Sequence, residues 1–313
     1  MAPYACIEKA LKLKKALVKY NSIIRTNQAP INHVKPKQIQ AIDEYVIRKN
    51  DVIGLLPTGY GKSFIFEIIP FVEMPHNNKP LIMCICPLDV IINEKIINLK
   101  GHAVKMCQNF VSSVDISSFI NVSYVIGHPE QFLSNESIKL FNTSIFQSRD
   151  IYIVVDEAHC VVKWGHDFRP MYRSIKKLRA LFPKANVLAL TATATPTLQV
   201  GIVKGLGMSA NTAVIAASVD RQNIELSVEN RPATTGTGHT VQQSYDYVIL
   251  PILEELKLKK ETFPKTIVYT KLFWCGYGHE MAMRPSRDGT PSSVGHLVSQ
   301  YHMPCTTQVN ITI

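Results

Sequence analysis

A chain of 313 residues with 46% hydrophobic and 19% charged residues can bury the core of one large or two modest domains, which excludes wholesale disorder. No apolar run approaches the roughly 20 residues of a membrane-spanning helix. Four lysines between residues 9 and 15 interrupt any apolar stretch near the N-terminus and argue against a signal peptide. We therefore expect no membrane partner and an intracellular protein, with the nucleus as its compartment.

The net charge of +10 is concentrated in two segments. Residues 1–49 carry ten Lys or Arg against three acidic residues, and residues 163–184 carry seven against one. Two basic clusters on a nearly neutral body predict a polyanionic partner, most simply nucleic acid. Solvated helix faces remain the alternative for each cluster taken alone. The seven cysteines include no Cys-x-x-Cys pair, so neither a disulfide framework nor a zinc site is indicated.

At the start of the chain, residues 4–20 place apolar side chains at helical spacing against a Lys-rich side, which predicts a packed accessory helix. A basic turn then enters a short helix at 34–42. Within it, Gln38 carries both the donor and the acceptor that suit the N6/N7 edge of adenine. Lys35 precedes it in the same turn, and a plain surface glutamine remains the alternative for Gln38 taken alone.

The strongest motif follows an apolar run at 52–56 and reads Leu56-Pro57-Thr58-Gly59-Tyr60-Gly61-Lys62-Ser63. Strand, Gly-containing turn, Lys-Ser and helix form the context that a phosphate-binding loop requires. Gly59 and Gly61 let the backbone turn its N–H groups inward. Lys62 would reach the β- and γ-phosphates of ATP, and the Ser63 hydroxyl would ligate Mg²⁺. The general pattern has Gly at the position of Leu56, so an ordinary strand-to-helix turn remains the alternative.

From residue 51 a βα alternation predicts a mostly parallel sheet covered by helices on both faces. Strand-like runs fall at 51–56, 80–86, 103–107, 121–126, 150–155 and 186–190. Helical stretches are predicted at 62–69, 88–99, 129–141, 168–182 and 195–204. Ligands bind at the carboxyl ends of the strands in such sheets, and the motifs lie at those ends.

The apolar strand at 151–155 runs directly into Asp156-Glu157-Ala158-His159. A carboxylate immediately after a buried strand is placed to hold Mg²⁺ opposite the phosphate loop. A second carboxylate beside it can orient and deprotonate an attacking water. We therefore predict that Asp156 is the Mg²⁺ ligand and that Glu157 is the general base.

Two further segments complete the first part of the chain. Residues 160–170, here named the aromatic segment, interleave side chains able to stack on bases and to contact phosphates, namely Trp164, His166, Asp167, Phe168 and Arg169. A buried aromatic anchor with an incidental Arg is the alternative.

The strand at 187–190 ends in Thr191-Ala192-Thr193-Ala194-Thr195, whose hydroxyls could relay the nucleotide state. Thr195 could instead cap the helix that begins at Pro196.

Together these residues resemble the RecQ family of superfamily 2 DNA helicases. The family's phosphate loop has the form Pro-Thr-Gly-x-Gly-Lys-Ser and does not require a Gly at position 56. The resemblance rests on Lys35 with Gln38, Cys86-Pro87-Leu88 with Glu94, Gly127-His128-Pro129-Glu130, Asp156-Glu157-Ala158-His159, the aromatic segment and Thr191-Ala192-Thr193. The aromatic segment is the most specific of these, because it distinguishes RecQ-like helicases from RNA-directed DEAH enzymes.

The resemblance implies an α/β fold in which a RecA-like P-loop NTPase lobe is followed by a second, incomplete RecA-like lobe. It implies an ATP-dependent 3′–5′ DNA helicase that uses ATP and Mg²⁺ and binds single-stranded or partly duplex DNA. The catalytic residues would be Lys62, Asp156, Glu157 and His159. His159 with Thr191 to Thr193 would pass the state of the γ-phosphate to the aromatic segment, which couples DNA contact to hydrolysis.

The motifs that match the family are closely spaced up to residue 195 and few after it. Asp220-Arg221-x-Asn223-Ile224 resembles the crossing into the second lobe, and residues 266–270 resemble that lobe's first strand. We expect a basic N-terminal helix at 1–29, an ATP-binding lobe at 30–218, a linker at 219–243, the start of a second lobe at 244–275 and a disordered or aberrant tail at 276–313.

Two functions remain open on the sequence. The first is an autonomous ATP-dependent DNA helicase. The second is a truncated ATP- and DNA-binding module that does not unwind DNA alone, acting as a regulator or arising as an incomplete product. The second is favoured by the lack of a Gln-x-x-Gly-Arg-x-Gly-Arg segment after Lys271. That segment supplies the arginine finger, which in related phosphoryl-transfer enzymes is worth about 10³–10⁵ in rate.

Overall fold

The computed structural model describes residues 2–72, 79–106, 119–163, 170–218, 240–285 and 292–299, together with positions 220, 224 and 228. The chain divides into two compact units, residues 1–221 and residues 222–313. No helix in the described ranges is both long enough and apolar enough to cross a bilayer.

The first unit is built on one seven-stranded parallel sheet with the order β3-β4-β2-β5-β6-β1-β7. The strands are β1 Val52–Leu55, β2 Leu81–Ile85, β3 Ala103–Lys105, β4 Tyr124–Gly127, β5 Ile151–Val155, β6 Val187–Thr191 and β7 Ala213–Ala216. The predicted α/β fold with a mostly parallel sheet is confirmed.

Helices connect the strands of this unit. The α-helices are α1 Ala2–Ile23, α2 Pro36–Ile42, α3 Lys62–Glu67, α4 Asp89–Asn98, α5 Pro129–Phe132, α6 Asn135–Phe141, α7 Ser144–Gln147, α8 Cys160–Lys163, α9 Lys176–Leu181 and α10 Pro196–Leu206. A π-helix at Asp43–Ile47 extends α2, and 3-10 turns lie at Ile69–Phe71 and Pro170–Ser174.

The strands are apolar on both faces because helices cover the sheet on both sides. In β2 all five residues are buried. Leu81, Met83 and Ile85 belong to the apolar cluster on one face, whereas Ile82 and Cys84 belong to the cluster on the other. This continuous apolar pattern is what made the strands predictable from the sequence.

The predicted helix at 4–20 is confirmed as α1, which packs on the helix that follows the phosphate loop. Tyr20 lies edge-to-face against Phe64 of α3, with ring centroids 5.3 Å apart. The Tyr20 hydroxyl donates a hydrogen bond of 2.7 Å to Glu67 Oε2, also on α3. The N-terminal helix is therefore part of the core around the first strand.

Two local features differ from the predicted elements. Strand β7 pairs with β1 at the sheet edge and was not predicted, because two of its four residues are exposed and its apolar pattern is short. The single helix predicted at 129–141 is two helices. Ser134 has an extended backbone there, and its hydroxyl accepts a hydrogen bond of 3.1 Å from the Ser137 N–H, so a new helix begins.

At the amino edge of the sheet, Asp51 joins three elements. Its side chain is 1% exposed and forms an ion pair of 2.7 Å with Arg179 of α9. Its carboxylate also accepts hydrogen bonds from the backbone N–H of Val187, at 2.8 Å, and of Ser209, at 2.7 Å. Asp51 therefore ties β1, β6 and the segment after α10 together.

The second unit contains α11 Val241–Lys259, α12 Leu272–Met283 and 3-10 turns at Lys260–Thr262 and Gly295–Leu297. A small apolar core joins Ile249, Leu253 and Leu256 of α11 to Ala282 and Val294. The described residues of this unit form no strand.

The predicted first strand of a second lobe at 266–270 is wrong. These residues are exposed and lie in no strand, with Tyr269 90% exposed. A parallel strand needs a hydrogen-bonded neighbour, and the described part of this unit offers none. Residues 276–283, predicted as part of a disordered tail, belong to α12. That helix is apolar nearly all round, so its sequence lacks the periodicity that would have indicated it.

Candidate nucleotide site

The phosphate loop and the two acidic residues lie at the same edge of the sheet. The loop follows β1 and the acidic pair follows β5, with β6 between these strands. The backbone links the three strand ends directly, because Leu56 N–H donates to Thr191 O at 3.1 Å and Ala158 N–H donates to Leu190 O at 2.9 Å. The strand order therefore brings together motifs that are far apart in the sequence.

The loop itself has the backbone that its glycines were predicted to allow. Gly59 and Gly61 have φ angles of 80° and 86°, in the left-handed region, and α3 begins at Lys62 immediately after them. A Cβ at position 61 would come within 2.7 Å of Gln38 Nε2. The Lys62 ammonium donates to Leu56 O at 3.2 Å, a neutral partner that phosphate oxygens can replace.

Lys35 and Gln38 lie against this loop. Gln38 is buried and donates through Nε2 to Tyr60 O at 3.2 Å and to Gly61 O at 2.9 Å. Its Oε1 accepts from Lys35 N–H at 2.9 Å, and the Lys35 ammonium lies 4.7 Å from the Tyr60 ring centroid. Gln38 is thus a buried support of the loop rather than a plain surface residue. Its predicted role in reading adenine stays a prediction.

The predicted Mg²⁺ ligands Ser63 and Asp156 share one partner, the ammonium of Lys95. Lys95 Nζ donates to Ser63 Oγ at 2.8 Å and forms an ion pair with Asp156 Oδ2 at 3.0 Å. A hydroxyl and a carboxylate are the hard oxygen ligands that Mg²⁺ prefers. Since both contact the same ammonium, Ser63 and Asp156 fit a divalent ion, whose remaining ligands would come from phosphate and water.

Lys95 was missed in the sequence. It lies on α4 in line with Ile92 and Leu99, three residues before and four after, and all three are buried. Burial lowers the pKa of Lys95, but the negative charge of Asp156 and the nearby Cys84, Cys86 and Glu67 outweigh it, so the pKa is raised. A lysine on the apolar stripe of a helix is the signal that would have indicated an internal ion pair.

Glu157 and His159 extend the site along the same turn. Glu157 has a left-handed backbone, with φ of 49°, and its carboxylate lies 3.3 Å from His159 Nδ1. The hydrogen bond from His159 lowers the pKa of Glu157, with burial opposing it and the positive charges of His159, Lys62 and Lys95 adding to it. The carboxylate is therefore held in the ionised form that a general base needs.

The threonines after β6 contact this turn. His159 Nδ1 lies 3.0 Å from Thr191 Oγ1, and Thr191 Oγ1 also accepts from Thr193 N–H at 3.3 Å. Ala192 lies between them in the same bend. Thr195 Oγ1 accepts from Leu198 N–H at 3.3 Å and caps α10, as the alternative interpretation of this residue predicted.

The remaining predicted contacts lie outside the described residues, namely Trp164, His166, Asp167, Phe168 and Arg169. The first four residues of the aromatic segment form α8, and the 3-10 turn at Pro170–Ser174 begins at its last residue. Helix α8 packs closely on α10, because a Cβ at Gly201 would come within 2.8 Å of Val162 Cγ2.

Comparison with known proteins agrees with this geometry. The profile of the DEAD/DEAH box helicase family matches residues 35–200, more than half of the chain. The structure of S. cerevisiae Dbp5 bound to RNA and ADP BeF3 has a TM-score of 0.56 at 14% identity, covering 85% of this chain and 63% of that chain, and supports the fold alone. The chain therefore belongs to the DEAD/DEAH box helicase family.

Within that family, several similar curated proteins are RecQ-type DNA helicases, which confirms the predicted resemblance. The ATP-dependent DNA helicase Q-like SIM of Arabidopsis thaliana is 31% identical over 226 residues, covering 67% of this chain and 25% of that protein. The ATP-dependent DNA helicase RecQ of Haemophilus influenzae is 29% identical over 232 residues, covering 71% of this chain and 34% of that protein. The chain thus matches only a quarter to a third of the length of these relatives.

Proposed function

We propose that the first unit binds and hydrolyses ATP as the motor lobe of a RecQ-type DNA helicase, moving 3′–5′ on DNA. The observation that carries this proposal is the meeting of Ser63 and Asp156 at one cation, beside the glycine-bent loop. Residues that ligate a nucleotide-bound metal must converge in this way. The DNA partner and the nuclear compartment are parts of the same proposal.

The residues of the candidate nucleotide site have separate tasks in this mechanism. Lys62 leaves the Leu56 carbonyl and pairs with the β- and γ-phosphates. Ser63 and Asp156 would hold Mg²⁺, which neutralises charge on the phosphate oxygens. Glu157, kept ionised by His159, accepts the proton of the attacking water.

The contact between His159 and Thr191 supplies the route from hydrolysis to DNA. Loss of the γ-phosphate changes the surroundings of Glu157. The Glu157 carboxylate lies 3.3 Å from His159 Nδ1, and the same nitrogen lies 3.0 Å from Thr191 Oγ1, so His159 can pass the change to Thr191. Thr191 ends β6, whose following helix α10 packs against α8 at the base of the aromatic segment. We propose that this segment binds DNA through Arg169 and its aromatic neighbours.

The test is ATP turnover by the purified chain with and without single-stranded DNA. Lys62→Ala is expected to abolish turnover. The control Lys139→Ala removes an exposed lysine on α6 and is expected to leave turnover unchanged. Turnover that is equal in wild type and Lys62→Ala would contradict the proposal.

Arg169→Ala tests the role of the aromatic segment separately. We expect the stimulation by DNA to fall while binding of a fluorescent ATP analogue is unchanged. Equal loss of both would contradict the assignment of this segment to DNA.

A second candidate function is an ATP- and DNA-binding module without autonomous unwinding. It is favoured by one observation, the lack of any strand among the described residues of the second unit. A RecA-like partner lobe would supply the other wall of the ATP site. Nucleotide binding that depends on Lys62, without measurable turnover or strand separation, would support this candidate over the helicase.

A further inference from the structure

The ammonium of Lys95 lies where a divalent ion would lie. It is within 3.0 Å of both Ser63 Oγ and Asp156 Oδ2, the two oxygens that fit Mg²⁺. A metal ion in contact with both oxygens and an ammonium in contact with both cannot be present together. A cation of the protein itself therefore occupies both of the predicted metal ligands.

The surroundings of Lys95 hold it there. The residue is 6% exposed, and its Nζ lies 5.0 Å from the centroid of the Phe66 ring. Its carbon chain leaves α4 on the buried side of the helix, in line with Ile92. Because the ammonium is shielded from water, its pairing with Asp156 is screened much less than a surface pair.

We propose that Lys95 is an internal competitor of the divalent ion, so that the nucleotide-free site binds metal weakly and accepts it together with nucleotide. The phosphates bring negative charge with which the displaced ammonium can pair. Lys95 then determines how tightly the nucleotide-free site binds a divalent metal ion. This inference rests on the proposed use of the crevice for ATP and Mg²⁺.

The measurement is binding of Mn²⁺ to the full chain, followed by electron paramagnetic resonance, without nucleotide and with ADP. Lys95→Gln and Lys95→Met remove the charge, and Met also retains the apolar stem. In the nucleotide-free state both variants are expected to bind Mn²⁺ at least about tenfold more tightly than wild type, which corresponds to about 1.4 kcal/mol. The charge-matched control Lys139→Gln is expected to bind as wild type does.

A double variant locates the ion. Adding Asp156→Asn to Lys95→Gln is expected to remove the gained affinity, because the carboxylate is the charged ligand. Equal Mn²⁺ affinity of wild type and both Lys95 variants would overturn the inference. So would a gain that persists without Asp156.

Wild-type protein gives a second measurement if the variants do not fold. With ¹⁵N at lysine side chains, the signal of a water-shielded ammonium is expected to move when Mg²⁺ and ADP are added together. It is expected to stay in place with Mg²⁺ alone. A signal that is unmoved by both additions would overturn the inference.

Binding of a fluorescent ATP analogue separates the two proposals. Metal-free binding that is lost in Lys62→Ala supports the nucleotide site. If that binding is intact while metal affinity does not depend on Lys95, the Lys95 inference alone fails. If the analogue does not bind at all, the proposed function fails.

Discussion

Two buried carboxylates lie at opposite edges of the same sheet, and each is paired with a cation. At the amino edge, Asp51 meets Arg179 and two backbone N–H groups, and its side chain is 1% exposed. At the carboxyl edge, Asp156 meets Lys95 and the N–H of Glu157, and its side chain is 10% exposed.

The difference lies in what surrounds the two pairs. The partners of Asp51 are an N–H of β6, an N–H in the segment after α10 and an arginine of α9, so the carboxylate can change partners only if these elements move apart. Asp156 has the half-buried Glu157 next to it in the chain, and its ammonium partner also contacts Ser63. A carboxylate paired with a cation thus stabilises the fold at the amino edge, whereas at the carboxyl edge the carboxylate can exchange its partner. Substitutions at the two edges should separate stability from activity.

The largest expected effect is on turnover at the carboxyl edge. Glu157→Gln removes the proposed general base and should lower kcat for ATP hydrolysis by about 10²–10⁴-fold. Because the Glu157 side chain is 31% exposed, the free energy of unfolding should change by less than about 1 kcal/mol. Steady-state kinetics and urea unfolding of the same preparation check both parts. A turnover within threefold of wild type would contradict the role of Glu157.

The largest expected loss of stability is at the amino edge. Asp51→Ala removes the ion-pair partner of Arg179 and the acceptor of two backbone N–H groups, of which that of Val187 is buried, and should lower the free energy of unfolding by about 3–5 kcal/mol. Unfolding in urea, followed by circular dichroism, measures this. Lys105→Ala is the control, since it removes an exposed ion pair of 2.9 Å with Asp89 and should cost less than about 1 kcal/mol. Similar losses in the two variants would remove the contrast between the edges.

A smaller effect concerns pH. The His159 hydrogen bond holds the pKa of Glu157 below its ordinary value of 4.5. The stabilisation that it gives is present above that ordinary value and is lost as the pH falls through the lowered pKa. His159→Ala should therefore move the acid limb of the turnover profile to higher pH. ATP turnover of wild type and His159→Ala, measured from neutral pH downward, tests this. An acid limb at the same pH in both proteins would exclude His159 as the cause of the lowered pKa of Glu157.

The smallest effect is expected at Thr195. Thr195→Ala removes the cap of α10 and should lower the free energy of unfolding by about 1 kcal/mol. Binding of nucleotide should stay as in wild type, since this hydroxyl bonds to Leu198 N–H within its own helix. Weaker nucleotide binding in this variant would instead favour the relay role for Thr195.

Most of the sheet and its ligand edge could be predicted because their signals are local. Apolar runs of five residues, the two glycines of the loop and the acidic pair after β5 each lie within a short window of sequence. The order of the strands then brought these windows together, as the general behaviour of parallel sheets predicts.

The features that were missed depend on contacts between distant residues. The position of Lys95 on the apolar stripe of α4 could have indicated its burial, but its pairing with Asp156 depends on how α4 packs on the sheet. Residues 266–270 have the composition of a strand, yet strand formation depends on neighbours, and the described residues of the second unit provide none. Strand β7 is formed by pairing with β1 rather than by an apolar run of its own.

Two glycines on α10 have a mechanical consequence. With no side chain at Gly201 or Gly205, α10 touches α8 at near-backbone distance, and a Cβ at position 205 would come within 2.6 Å of Val161 Cγ1. Helix α8, which follows the acidic pair, and helix α10 must then move together as a rigid unit. If nucleotide binding tilts that rigid unit, the tilt reaches Lys163, which directly precedes the residues predicted to contact DNA.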